Sequence, residues 1–380
     1  MKKSLLFTAL TLTLTLTLTL TLTLTLASSQ AFAVVNGTPI DWQQHDSTVR
    51  LDGHPMWGGV IQDAKGQCTG TLISGKYILT AAHCLDREND VDSVTMVSGQ
   101  NTPTEFAQYL THPDYVSDED FSTNDVGIIP LNQTLAHQSI QFFSDLNVSH
   151  FSKGEAININ GFGGTATDSS PLNQANFTFS EVHWAIPELI YIDVVNESHT
   201  TNGDSGSAWT NANNDIVAVH KGSALFTNGS RETYGSDLHY SSDFILDTVN
   251  GWHYPTIAKA NGQTTITVQS LHQTAMQPDP SNEAWVQGDV TLNSELSTCL
   301  TTEINPYSKC TFVIDSNGGE GVLWLSANEP IEINPKTITN PDEGNGGNGS
   351  TGGSSSGGSF GLFSLLTLAG LGVIRRKWII

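Results

Sequence analysis

The chain has 380 residues, enough for two domains of ordinary size. Its charged residues are few and one-sided: 15 Lys+Arg against 38 Asp+Glu leave a net charge of −23. That balance argues against nucleic acid and anionic membrane surfaces as partners, and suits an exported protein kept monomeric by self-repulsion.

Residues 1–33 read as a secretory signal. Lys2 and Lys3 form the basic start, eight Thr-Leu repeats fill residues 11–26, and Ala31-Phe32-Ala33 is a small-x-small cleavage site. Period-two alternation elsewhere suggests a strand; behind two lysines at an N-terminus it reads as the apolar core of a signal. Export permits disulfides. The spacings of the four cysteines favour two local bridges, Cys68–Cys84 and Cys299–Cys310.

Residues 34–253 hold short β-branched runs, such as "GTLISGKYILTAAHC", "DVGIIPL" and "DIVAVHKGSAL", separated by Gly, Asn, Asp and Ser turns. The pattern predicts an all-β barrel or sandwich. One helix is expected, at 241–252 ("SSDFILDTVNGW"), with Gly251 as its stop. Residues 255–337 carry four more strand-like runs, "TTITVQSL", "AWVQGDVTL", "CTFVIDS" and "GVLWLSA", which predict a small β-sandwich. Residues 338–359 form a Gly/Ser-rich linker unable to bury a core. Residues 360–374, "FGLFSLLTLAGLGVI", are an apolar run shorter than the ~20 residues that span a bilayer comfortably. The basic "RRK" at 375–377 follows, and the segment 360–380 reads as a C-terminal membrane tail.

The chemistry concentrates in three places. "GDSGSA", 203–208, sets a serine in a tight turn whose N–H groups could receive an oxyanion. "LTAAHC", 79–84, places a histidine beside a cysteine at the end of a strand, and "NDVGIIPL", 124–131, an aspartate at the head of another. A serine hydroxyl is a poor nucleophile without a base to take its proton and a carboxylate to orient that base. His83, Asp125 and Ser205 supply all three. The 12 histidines show no metal-ligand spacing, and the acidic run 117–125 lacks EF-hand order and reads as a solvated loop leading to Asp125. No metal and no cofactor are expected.

Together these segments resemble the chymotrypsin-like (trypsin-type) serine proteases over about 34–253. "CTGTLISGKYILTAAHC" is similar to the family's stretch from first half-cystine to histidine. "INGFGGT", 159–165, is similar to its Gly-aromatic-Gly stretch, and "VVNG", 34–37, to its activated N-terminus. The resemblance implies two antiparallel β-barrels, here followed by the small sandwich, and an acyl-enzyme mechanism on protein or peptide substrates. His83 would be the base, Asp125 its orienting carboxylate and Ser205 the nucleophile, with the N–H groups of Gly203 and Ser205 as oxyanion hole. It also implies that a free amine at Val34 pairs with Asp204. Because Ala33 precedes Val34, signal peptidase itself would expose that amine; the competing expectation is an earlier cut, for example after Ser29, that leaves a short propeptide for another enzyme.

The primary pocket departs from the trypsin pattern. His199 stands where trypsin-type enzymes carry an aspartate, and the pocket strand reads His220-Lys221-Gly222. Glutamyl endopeptidases of the same fold carry a histidine fifteen residues after the serine and a threonine five before it. His220 and Thr200 match those positions, which permits an acidic substrate residue; the alternative is that His220 simply occupies a strand position, and the primary specificity stays open. The tail resembles the GlyGly-type sorting signals of Gram-negative bacteria. That resemblance implies transient inner-membrane anchoring through 360–374, removal by an intramembrane protease, and type II secretion to the medium or cell surface. The whole combination is similar to secreted proteases of Vibrio and related marine bacteria. The competing expectation is a surface binding protein on an inactive protease scaffold, favoured by the divergent pocket and the extra domain and opposed by the complete triad.

Overall fold

The structure, a computed structural model, describes residues 34–336 except 55, 58–59, 62–64, 88–89, 118–121, 150, 164–171 and 278–283. The segments expected to be a signal (1–33), a linker (338–359) and a tail (360–380) lie outside the described residues. Two antiparallel barrels and a sandwich build the rest, as the alternating runs require.

The first sheet has seven strands in the spatial order Asn101–Pro103, Ser93–Thr95, Thr48–Gly53, Lys65–Ile73, Tyr77–Thr80, Gly127–Pro130, Leu110–Thr111. It curls into a half-barrel around Val49, Leu51, Leu72, Ile78, Leu79 and Ile128. The second sheet orders Asn173–His183, Ala156–Gly161, Ala208–Thr210, Ile216–Leu225, Arg231–Asp237 and Ile186–Val194, and its first and last strands pair to close a six-stranded barrel. Thr38–Pro39 adds a seventh strand at Asn173–Gln174. Ile157, Ile159, Phe177, Ile190, Trp209 and Val34 fill its interior. The Cys68–Cys84 bridge ties the strand Lys65–Ile73 to the His83 segment, and Cys299–Cys310 lies in the sandwich.

The helix spans Ser242–Val249, preceded by a 3₁₀ turn over Leu238–Ser241. It stops one residue earlier than the sequence suggests. Asn250, not Gly251, takes the left-handed conformation (φ +37°) and donates its N–H to the Leu246 carbonyl. Asparagine tolerates that region because its short polar side chain can hydrogen-bond locally.

Two four-stranded sheets make the sandwich: Trp252–His253, Gly262–Ser270, Lys309–Ser316 and Thr291–Leu292 in one, Ile257–Ala258, Pro330–Ile333, Gly321–Trp324 and Trp285–Gly288 in the other. The run "AWVQGDVTL" is thus two strands in different sheets, broken at Gly288 (φ +76°). The sandwich starts at Trp252, inside the segment the sequence assigns to the barrels.

The sandwich is bonded to the barrels by buried polar groups. Gln269 imitates a strand: its Oε1 accepts from Phe143 N–H (2.9 Å), and its Nε2 donates to the Phe143 and Tyr307 carbonyls (both 2.8 Å). Tyr307 donates to the Ser242 carbonyl at 2.8 Å, and His253 Nε2 to the Gln141 carbonyl at 2.9 Å. Substituting Gln269→Leu strands both backbone groups of Phe143 away from water. A buried amide group left without a partner costs ~1–3 kcal/mol, so thermal unfolding should shift down by several °C. Should this variant melt with the parent, Gln269 does not tie the sandwich to the barrels.

Candidate active site

The site lies where the two barrels meet, and Thr69 makes the link. Its N–H donates to the Ser205 carbonyl (2.8 Å), its hydroxyl to the Gly203 carbonyl (2.9 Å), and its carbonyl accepts from Thr80 Oγ1 (3.0 Å). Gly206 (φ +83°) has no room for a Cβ, which would strike Thr80 Oγ1 and the Thr69 carbonyl and come within 2.9 Å of Ala81 N. Ser205 is thereby held, half-buried, against the segment that ends at His83. The pairs Gly206 N–H to His220 carbonyl and His220 N–H to Ser207 carbonyl, both 2.8 Å, tie the serine turn to the strand Ile216–Leu225.

Asp125 is wholly buried and grips His83 with both oxygens: Oδ1 accepts the backbone N–H at 2.8 Å and Oδ2 faces Nδ1 at 2.7 Å. Asn124 makes this approach possible by adopting φ +49°, with Val126 N–H returning to its carbonyl (2.8 Å) and its amide donating to the Asp114 carbonyl (3.2 Å). Nδ1 must carry the proton to satisfy the carboxylate, which leaves Nε2 as the basic nitrogen. Burial opposes protonation of His83, but the Asp125 carboxylate outweighs it, with Asp86 assisting, and the pKa stands above the ordinary histidine value. Burial likewise opposes ionisation of Asp125, and the His83 ring, by charge and hydrogen bonds, still holds its pKa below the usual carboxylate range.

Lys221 is a residue to which the sequence reading gave no role. It sits at a register shift between His220 and Gly222, and bulges of this kind re-aim side chains. Its ammonium donates to the Ser122 carbonyl, three residues before Asp125, and its positive charge depresses the pKa of both Asp125 and His83. A single lysine in the mostly apolar run "IVAVHKGSAL" was the available signal.

Of the pocket residues, Thr200 is buried with no partner for its hydroxyl, and Ser223 Oγ donates to its carbonyl at 3.2 Å. His220 is buried, accepts at Nδ1 from Trp209 Nε1 (3.4 Å), and has its pKa pushed down to about 3 by burial and then by His83. It is therefore neutral, and its Nε2–H is a donor. Gly222 pairs with Tyr234. His199 is half-buried, its backbone bridged to Val35 and its Nδ1 donating to the Glu197 carbonyl (3.1 Å). Among the described residues one group, Cys68, His83 and Cys84, meets metal-ligand spacing, but both sulfurs are spent in the disulfide.

Val34 is fully buried. Asp204 is too: its Oδ1 accepts from Gly163 N–H (2.7 Å) and its Oδ2 from Thr201 N–H (2.8 Å). Cβ atoms at Gly161 and Gly163 would collide with its carboxyl, so the aspartate occupies the space those glycines leave. In this chain, with Val34 still joined to Ala33, burial pushes the Asp204 pKa up to about 7 despite the two backbone hydrogen bonds. The folded value exceeds the unfolded one, so its contribution to stability is full below ~4 and is lost as pH rises through about 7. Buried His137, His220 and His253 have lowered pKa values and act in the opposite sense, so a difference between variants isolates Asp204. The unprocessed Asp204→Asn protein should melt with the parent near pH 4 and roughly 5 °C above it at pH 8. A constant difference across that range would show that Asp204 does not titrate there.

The trypsin family profile matches residues 45–243. Among solved structures the chain is similar to the VesB protease of Vibrio cholerae, at 17% identity and TM-score 0.45, covering 79% of this chain and 97% of that one. It is also similar to the secreted serine protease VesC of Vibrio cholerae (15%, TM-score 0.42, 78% and 70% covered) and to neuropsin from mouse brain (16%, TM-score 0.44, 56% and 98% covered). With the profile spanning half of the sequence and both barrels in place, the chain belongs to the trypsin family.

Proposed function

We propose that this protein is a secreted serine endopeptidase in which His83, Asp125 and Ser205 act as the triad. The observation that carries the reading is the two-point hold of buried Asp125 on His83. It fixes the ring, the tautomer and the basicity of Nε2 together. Nε2 takes the Ser205 proton as the hydroxyl oxygen attacks the scissile carbonyl. The tetrahedral oxyanion is received by the N–H groups of Gly203 and Ser205. Collapse breaks the C–N bond, His83 returns the proton to the leaving amine, and water repeats the sequence to free the acid.

In this reading, residues 1–33 direct export and 360–380 act as a sorting tail handled by type II secretion and an intramembrane protease. Signal cleavage at Ala33 exposes the Val34 amine to Asp204. Among the described residues no helix is long and apolar enough to cross a membrane.

Ser205→Ala and His83→Ala should each lower kcat by about 10⁶ with unchanged folding, and Asp125→Asn by about 10⁴. The acid limb of kcat/KM should have its midpoint above ~6.5, because Asp125 holds the His83 pKa up. A purified Ser205→Ala protein with more than a hundredth of the parent activity would remove the triad assignment.

The pocket donors support a substrate side chain that accepts hydrogen bonds. Thr200 offers a buried hydroxyl without a partner and His220 a neutral Nε2–H. A neutral ring provides a hydrogen-bond donor and no counter-charge for a carboxylate. Peptides with Glu or Gln before the cleaved bond should be hydrolysed within about tenfold of each other, and both ahead of Lys or Arg. His220→Ala should abolish the preference. A parent enzyme that favours Arg in a peptide-library profile contradicts this assignment of the pocket.

A further inference from the structure

A lysine lies beside the triad, and no step of the proposed mechanism uses it. Lys221 follows His220, whose N–H and carbonyl pair with Ser207 and Gly206 at the end of the serine turn. The strand bulges there: His220 opposes Gly235 and Gly222 opposes Tyr234, which makes Lys221 the extra residue of the pair. Gly222 leaves the adjoining space to Tyr234, whose Oη a Cβ at Gly222 would meet at 3.1 Å. The Lys221 ammonium lies over the Tyr234 ring, 5.9 Å from its centre, where the π face attracts a cation.

From this anchorage the ammonium crosses to the segment that leads into Gly127–Pro130, a strand of the first barrel, and donates to the Ser122 carbonyl. Ser122–Thr123 pairs with Val116–Ser117 over two residues. So short a pair is marginal by itself. Directly after it Asn124 takes its left-handed turn and Asp125 grips His83. One side chain thus joins the strand that braces the Ser205 turn to the segment that aims Asp125.

The link also carries charge. Asp125 and Asp86 favour the protonated His83 ring, and Lys221 opposes them. Asp90 and the neutral His220 interact with the same ring, and Tyr115 donates to Asp86 at 2.9 Å. Lys221 in turn faces Asp125 and Glu188, which favour its charge against the effect of burial. A partly buried lysine gives up stem entropy and hydration, so an apolar residue would suit a barrel strand better unless the ammonium has a task.

We propose that Lys221 is a positioning residue for the triad, a cationic strut that holds the Asp125 segment against the strand bracing the Ser205 turn. The proposal rests on the triad reading and extends it. The strut fixes the approach of His83 to Ser205, where a misplacement of ~1 Å can cost about 10²-fold in rate. Its charge also limits how readily Nε2 is protonated, which leaves more of the ring able to act as base at neutral pH.

Three substitutions in the purified active enzyme test this. Lys221→Met keeps the stem and removes donor and charge, Lys221→Gln keeps a donor without the charge, and Lys221→Arg keeps both. Lys221→Met should lower kcat by about ten- to hundredfold with KM within about twofold of the parent. Its acid-limb midpoint of kcat/KM should move up, because the charge removed is the one that opposes protonation of His83. Lys221→Gln should recover part of kcat and keep the raised midpoint, and it serves alone should the Met variant fail to fold. Lys221→Arg should restore both. The pH dependence of Ser205 labelling by a fluorophosphonate probe should shift in the same direction, a readout that needs no peptide substrate. Acid midpoints that stay at the parent value in the Met and Gln variants overturn the strut. So does a raised KM at unchanged kcat, which would make Lys221 a substrate contact. Unshifted variants of a parent that labels at Ser205 leave the triad standing; a parent that does not label at Ser205 overturns the triad reading, and the strut with it.

Discussion

The structure turns on one buried carboxylate. Asp204 sits in the space left by two glycines, between the strand that ends at Gly161 and the turn that carries Ser205. A carboxylate in that position cannot be hydrated, and its charge must be neutralised by a proton or met by a cation. In the uncut chain a proton meets that need below about pH 7, because burial raises the Asp204 pKa to about 7. In the proposed mature enzyme the Val34 ammonium replaces it. Asp204 is the residue between Gly203 and Ser205, so whatever satisfies it also sets the shape of the proposed oxyanion hole.

The remainder of the site is built outward from that turn. Thr69, on the first barrel, holds the carbonyls of Gly203 and Ser205, and through Thr80 reaches the segment that presents His83. Asp125 then fixes His83 from below, helped by the left-handed turn at Asn124. The two barrels thus share a continuous hydrogen-bonded seam, not a simple apolar contact. A sub-ångström displacement at Asp204 has a short path to the serine because that seam has few adjustable joints. The sandwich adds to the same rigid frame through Gln269 and Tyr307, behind the barrels' own core.

Much of this was legible in the sequence, for identifiable reasons. Motifs whose chemistry is local, such as "GDSGSA" and the cysteine-flanked histidine, carry their meaning in a few adjacent residues. Alternating runs gave the all-β class because a one-face burial pattern leaves few other choices. What could not be read depended on distant partners. Lys221 gained a role only through a bulge that turns it toward Ser122. The run "AWVQGDVTL" looks like one strand because nothing in its pattern says that Gly288 turns a corner between sheets. Asn250 ended the helix where glycine was expected, since asparagine serves the left-handed position nearly as well.

The central claim is that satisfying Asp204 with the Val34 amine is what makes Ser205 reactive. Its most direct test is the rate of Ser205 labelling by a fluorophosphonate probe in two purified proteins, one beginning at Val34 and one retaining Ala33. The account predicts at least hundredfold faster labelling of the Val34-started protein at pH 7, falling toward the slow rate as pH rises through the raised pKa of the paired amine. Equal labelling of the two proteins at pH 7 would contradict it.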